Sequence, residues 1–155
     1  MIDRRVCTFL PESIDKFAAF GEIVRNCSVF DDIADRHGFL EAVIRREKIQ
    51  STGIGHGVAI AHGKVAHLGH THIALGLSRD GIRFDDLFTD PVRLVFLIAS
   101  CPTRQSEYVK ALASILSWVH DDDLRTHLME GDYSFPKVEA FLTMFSRQDF
   151  QPLSI

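Results

Sequence analysis

The chain has 155 residues, of which 46% are hydrophobic and 25% charged, so it suits one compact domain over residues 1–155 that buries roughly two-thirds of its unfolded surface. Its net charge of −4 argues against a general nucleic-acid surface, which leans on clustered Lys and Arg, and points to protein or small-anion partners. No apolar run is long enough to span a bilayer, and no signal-length apolar stretch opens the chain, so the expected location is cytoplasmic with no membrane insertion.

In chain order, residues 5–10 read as a short first strand closed by Pro11. Ile14, Phe17, Ala18, Gly21 and Val24 then give an approximate helical face, and Asp31-Asp32 lead into a second periodic run through Ile33, Phe39, Leu40, Val43 and Ile44. Arg45, Arg46, Glu47 and Lys48 read as the solvated end of that second helix. Residues 51–64 form a glycine-rich loop running into a buried strand at residues 58–61. Residues 71–77 and 92–99 are the clearest strands, the second apolar enough to be central and covered on both faces. Between them, residues 78–81 read as a turn and residues 82–84 as a short edge strand. After Pro102 the period becomes helical through Tyr108, Leu112, Ile115, Leu116 and Val119, with further helices near 121–129 and 135–145, the last opening at Phe135-Pro136. This order predicts an α/β sandwich, a mixed and roughly five-stranded sheet flanked by helices. Cys7, Cys27 and Cys101 are odd in number and lack a C-x-x-C pair, so they read as reduced, mostly buried thiols.

The block Ser-Thr-Gly-Ile-Gly-His-Gly-Val-Ala-Ile-Ala-His-Gly-Lys at 51–64 carries the chemistry. Gly53, Gly55, Gly57 and Gly63 remove side-chain bulk where backbone N–H groups would approach an anion, so the loop suits phosphate. His56 and His62 supply side chains that are nucleophilic or half-charged near neutral pH. His62, at the end of a strand, faces the loop rim; His56 has two readings, a hydrogen-bond donor to the phosphoryl oxygens or a plain loop residue. Thr52 and Ser51 either donate hydroxyls to phosphate or cap the turn. Arg46 either attracts phosphate or is surface charge, and Lys64 reads as solvated. Tyr108 offers a hydroxyl or is a core-facing aromatic. His67, His70 and His72 read as solvated loop or strand-edge residues, because their spacing matches no metal-site pattern and no acidic residue lies between 56 and 72; no metal is expected.

Ser51, Thr52, Gly53, Gly55, Val58, Ala59, Ile60, His62 and Gly63 fit the pattern S-T-G-x-G-x-x-[IV]-A-[IV]-P-H-G. Through this block, Arg46-Glu47 upstream and Asp90-Pro91-Val92 downstream, the chain resembles the enzyme IIA proteins of the bacterial sugar phosphotransferase system, in the fructose/mannitol class that includes the nitrogen-regulatory IIA proteins. The resemblance implies a mannitol-type IIA fold and phosphorylation of His62 by a histidine-phosphorylated HPr-type donor protein. It further implies onward passage to a IIB domain, or a signal to a regulatory target, without a cofactor. The stretch from Arg46 to Gly55 is more similar to the regulatory branch. Ala61 stands where the family has proline, and Tyr108 where many relatives carry a second active-site histidine. These departures keep open a rival reading, a binding module that retained the fold and lost the chemistry. Phe84, Leu87 and Phe88 are candidates either for an apolar docking face or for the core.

Overall fold

The structure, a computed structural model, describes residues 2–85 and 89–152. Its elements are β1 (Cys7–Phe9), α1 (Lys16–Asn26), a 3-10 turn (Ser28–Phe30), α2 (Arg36–Ile49), β2 (Gly53–Gly55), β3 (Val58–Lys64), β4 (His72–Ile82), β5 (Val92–Ser100), α3 (Gln105–His120), α4 (Asp122–Met129) and α5 (Pro136–Ser146). The starts of α1, α2 and α4 are set locally by carboxylates. Asp15 accepts from the Ala18 N–H at 2.8 Å, Asp35 from Gly38 at 2.9 Å and Asp121 from Leu124 at 3.1 Å, each satisfying an amide that the helix leaves unpaired. Pro136 opens α5, where its missing N–H removes no helical bond.

The five strands form one mixed sheet in the order β1-β4-β5-β3-β2. β1 runs parallel to β4 and β3 parallel to β5, while β4–β5 and β2–β3 are antiparallel. Strand alternation divides the core in two. Ala59 and Ala61 of β3 pack with Phe20, Phe39 and Val43 from α1 and α2. Val58 and Ile60 pack on the other face with Ile115, Trp118, Phe141 and Phe145 from α3 and α5. His62 continues that second series, so its ring faces the α3 layer. β5 is buried from Leu94 to Ser100, as its apolar run requires of a strand covered on both faces.

The α/β sandwich with a five-stranded mixed sheet matches the expectation, but its fifth strand comes from a different place. The glycine block forms β2 and pairs back on β3 as a hairpin, whereas residues 82–84 form no separate edge strand. The expected turn at 78–81 lies inside β4 instead: the ladder shifts register between Leu77 and Ile82, and Ser78 Oγ accepts from the Gly81 N–H at 2.9 Å. Phe84 is core, packed edge-on against Phe20 with ring centroids 5.9 Å apart. Leu87 and Phe88 lie outside the described residues. All three cysteines are free and buried.

Gly63 serves helix packing. A Cβ there would lie 2.9 Å from Val43 Cγ2 and 3.0 Å from the Phe39 ring, so hydrogen alone lets α2 seat on β3. Gly63→Ala is expected to destabilise the protein by about 1–3 kcal/mol through overpacking. Gly69→Ala, at a site with nothing within 4 Å, should change little. Urea midpoints of the two variants provide the comparison, and equal midpoints would show that the α2–β3 contact gives way without cost.

Candidate active site

His62 is half-buried near the end of β3, and its ring centroid lies 5.4 Å from that of Tyr108 at an interplanar angle of 51°. Tyr108 sits in the first turn of α3 and packs at the margin of the α3–α5 core, so it is both a core-facing aromatic and a wall of the histidine site. Two cations complete the surroundings. Burial lowers the His62 pKa from its ordinary 6.5, and the charges of Arg46 and Lys64 lower it further. Lys64 lies two residues along β3 and so projects from the same face. Arg46 comes from the last turn of α2, where its Nη1 donates to the Gln50 carbonyl at 2.8 Å. Burial raises the Tyr108 pKa, with Arg46 opposing, so the phenol keeps its proton at neutral pH and remains a donor.

The chemical content of this arrangement is a neutral imidazole with an available lone pair near two cations and a phenolic O–H. Neutrality preserves the nucleophile. The cations would attract an anionic electrophile and hold its charge once bound.

The remaining sequence candidates divide by position. His56 is exposed at the tip of the β2–β3 hairpin with φ of 57°, between Gly55 at 88° and Gly57 at 77°. β3 then runs from Val58 past the turn, carrying His62 four residues of extended chain, roughly 13 Å, beyond it. It lines a surface depression with Asp90, Arg93 and Arg125 rather than approaching Tyr108 or Arg46. The loop therefore does not return His56 to His62, because it closes as a tight hairpin whose strand carries His62 away. Gly55 and Gly57 supply the left-handed backbone of that turn, and Gly53 permits close approach of Asp85, whose Oδ2 would lie 3.1 Å from a Cβ. With Gly63 against α2, these glycines shape the hairpin and its packing.

Thr52 is buried, and both its N–H (3.0 Å) and its hydroxyl donate to Glu47. Ser51 Oγ accepts from the Gly53 N–H at 3.2 Å, which is the turn-capping reading. Glu47 is the residue that sequence reasoning missed. It was expected at a solvated helix end, yet its side chain has no exposure and Lys16 Nζ lies 3.0 Å away. Its signal was present: Phe39, Val43 and Glu47 fall at successive i, i+4 positions on the buried face of α2.

His72 is more enclosed than expected, 15% exposed with Nε2 2.8 Å from Asp32, while His67 and His70 are exposed. No group of three or more candidate metal ligands gathers among the described residues. No helix among them is long and apolar enough to cross a membrane.

Comparison with known proteins agrees with this fold. The family described as phosphoenolpyruvate-dependent sugar phosphotransferase system, EIIA 2, matches residues 3–134. The fructose-specific EIIABC component of Bacillus subtilis is 33% identical over 121 residues, 78% of this chain; the chain spans 19% of that protein's length. The nitrogen regulatory protein IIA-Ntr of Neisseria meningitidis superposes with a TM-score of 0.70 at 25% identity, covering 81% of this chain and 85% of that one. The mannitol enzyme IIA of Escherichia coli, solved in complex with phosphorylated enzyme IIB, superposes with a TM-score of 0.71 at 18% identity, covering 95% and 98%.

The lowered His62 pKa has a direct test. Its imidazole should titrate below 6.5 by NMR, and Arg46→Gln and Lys64→Gln should each raise the midpoint. The linkage sign follows: as pH falls through 6.5 the unfolded imidazole protonates first, so the stability that His62 contributes is present above that pH and is lost toward the folded value. A midpoint unmoved in both variants would remove the two cations from the site.

Proposed function

Because the chain belongs to the phosphoenolpyruvate-dependent sugar phosphotransferase system EIIA 2 family, we propose that it is a phosphocarrier with His62 as the residue that accepts the phosphoryl group. The donor is a histidine-phosphorylated protein of the HPr type. In the transfer a ring nitrogen of His62 forms the new N–P bond with its lone pair. The donor's N–P bond breaks, and its electron pair returns to the donor ring. The proton on the other nitrogen of each ring need not move, so the step balances without an external acid. Arg46 and Lys64 meet the phosphoryl charge as it arrives, and Tyr108 offers its O–H to a phosphoryl oxygen. No cofactor is required.

The observation that carries this reading is the His62 environment itself, a half-buried imidazole whose pKa is lowered first by burial and then by the same cations that would hold phosphate. For onward passage, the mannitol enzyme IIA is solved in complex with a phosphorylated IIB protein, and its likeness in fold supports a IIB domain as acceptor here. A regulatory fate, in which the phosphorylation state of His62 alters binding to a target protein, is the one we favour. The Arg46–Gly55 stretch is more similar to that branch, and the IIA-Ntr fold superposes at higher sequence identity than the mannitol protein.

Incubation with phosphoenolpyruvate and the general donor proteins, followed by intact mass at alkaline pH, is expected to show one acid-labile phosphoryl group. His62→Ala should abolish it with the fold intact. His56→Ala should leave the rate unchanged, since it stands too far away to donate to the phosphate. Loss of a true donor to developing charge costs about 2.7–4 kcal/mol, a slowing that would be obvious. Full phosphorylation of His62→Ala would end the assignment. A wild-type chain that never takes phosphate would leave the fold-only binding module.

A further inference from the structure

A second cavity opens at the opposite end of the sheet. It encloses about 300 Å³, and Phe9, Arg79, Arg93, Glu130 and Tyr133 line it. Arg93 lies five residues before Ile98, the β5 partner of His62, which places it roughly 16 Å along the sheet from the histidine register. The cavity is therefore separate from the phosphocarrier chemistry and does not rest on it.

Aromatic surface and an excess of positive charge meet here. Phe9 is 44% exposed at the end of β1, and its ring centroid lies 6.4 Å from that of Tyr133, the planes tilted by 55°. The Arg4 guanidinium lies 5.0 Å over the Phe9 ring. Arg4 and Arg79 are both close enough to Tyr133 to oppose the rise in its pKa that burial causes. Arg5, Arg25, Arg36, Arg104 and Arg125 each have a carboxylate partner, whereas none of Arg4, Arg79 and Arg93 has one among the described residues. Arg79 and Arg93 line the depression with one carboxylate, Glu130, and Arg4 stands beside it over Phe9, so positive charge outnumbers negative there on a chain whose net charge is −4. An anion offsets that excess. Guanidinium groups match phosphate oxygens in bidentate geometry, and aromatic rings beside them offer a stacking surface for a planar base. The volume lies at the small end of the range for enclosed small-molecule sites.

We propose that this cavity binds a mononucleotide, its phosphate between Arg79 and Arg93 and its base against Phe9 and Tyr133. Glu130 remains as an acceptor for ribose hydroxyls. A sugar phosphate shares the anion but lacks the planar ring, and a nucleic-acid strand would need basic surface beyond the cavity, which the overall charge does not favour.

The test is titration of the full chain with AMP at low salt, followed by calorimetry and NMR, with inorganic phosphate, glucose 6-phosphate and a single-stranded RNA oligomer as comparison probes. AMP should shift the Arg79 and Arg93 side-chain Nε and the Tyr133 ring resonances, bind more tightly than either non-aromatic phosphate, and weaken as salt rises. The double variant Arg79→Gln/Arg93→Gln should lose about tenfold or more in AMP affinity at an unchanged thermal midpoint. Phe9→Ser should weaken AMP while leaving inorganic phosphate binding unaffected. Four results would each overturn the proposal: no shift at millimolar AMP, equal binding of glucose 6-phosphate, shifts confined to Arg46, Lys64 and Tyr108, or RNA bound more tightly than AMP.

Discussion

The surroundings of His62 depend on one buried carboxylate. Glu47 has no side-chain exposure, a position that an ionised group tolerates only when its oxygens are fully engaged. Here they are. The Thr52 N–H and hydroxyl donate to them, Lys16 Nζ stands 3.0 Å away, and the same ammonium donates to the Phe84 carbonyl at 2.6 Å. Glu47 and its Lys16 partner thus tie the end of α2, the entry to β2, the start of α1 and the segment after β4. Leaving such a carboxylate without its partner costs on the order of 3–5 kcal/mol, so the four segments are held in one arrangement. Arg46 precedes Glu47 on α2, and β2 carries the hairpin that delivers β3. The position of the cation and the strand that bears His62 are both inherited from this contact.

The electrostatics of the site then require no moving part. Burial, and after it the charges of Arg46 and Lys64, disfavour the imidazolium, and in the phosphocarrier reading proposed above the same two cations would meet the incoming phosphoryl charge. Ala61, where the family pattern has proline, does not disturb this. It is buried within β3 in register with Leu97 and retains the N–H that proline lacks. The segment before His62 is accordingly held by the sheet, and the substitution is no sign by itself that the chemistry has been lost.

The strands and helices that were legible in the sequence were those whose burial imposes a period. β5 was readable from its apolar run, and α3 from the spacing of Tyr108, Ile115 and Val119. The glycine block misled because glycine signals freedom without direction. The same residues that would cradle an anion also make a hairpin, and only the pairing of Gly53 with Ala59 decides between them. His56 and His62 looked close at six residues apart, yet His56 stays at the hairpin turn while β3 carries His62 away from it. The run from Ser78 to Gly81 read as a turn for the same reason, since turn-forming residues also build the irregularity inside β4. Glu47 was hidden by its charge, although its i+4 spacing from Val43 placed it on the packed face of α2.

What replaces a second histidine near His62 can be traced to the start of α3. Glu107 accepts from the Thr71 N–H at 2.9 Å and pairs with Arg104 at 3.2 Å, which fixes the first turn of the helix to the loop before β4. Tyr108 is the next residue, and its ring is held between that anchored turn and the core beneath α3. A phenol so placed cannot take a phosphoryl group in the neutral pH range as an imidazole can, because burial keeps its proton on. It can still donate a hydrogen bond without changing charge. The site is therefore built around one imidazole with neutral and cationic donors about it, an arrangement in which the phosphocarrier role proposed above falls to His62 alone.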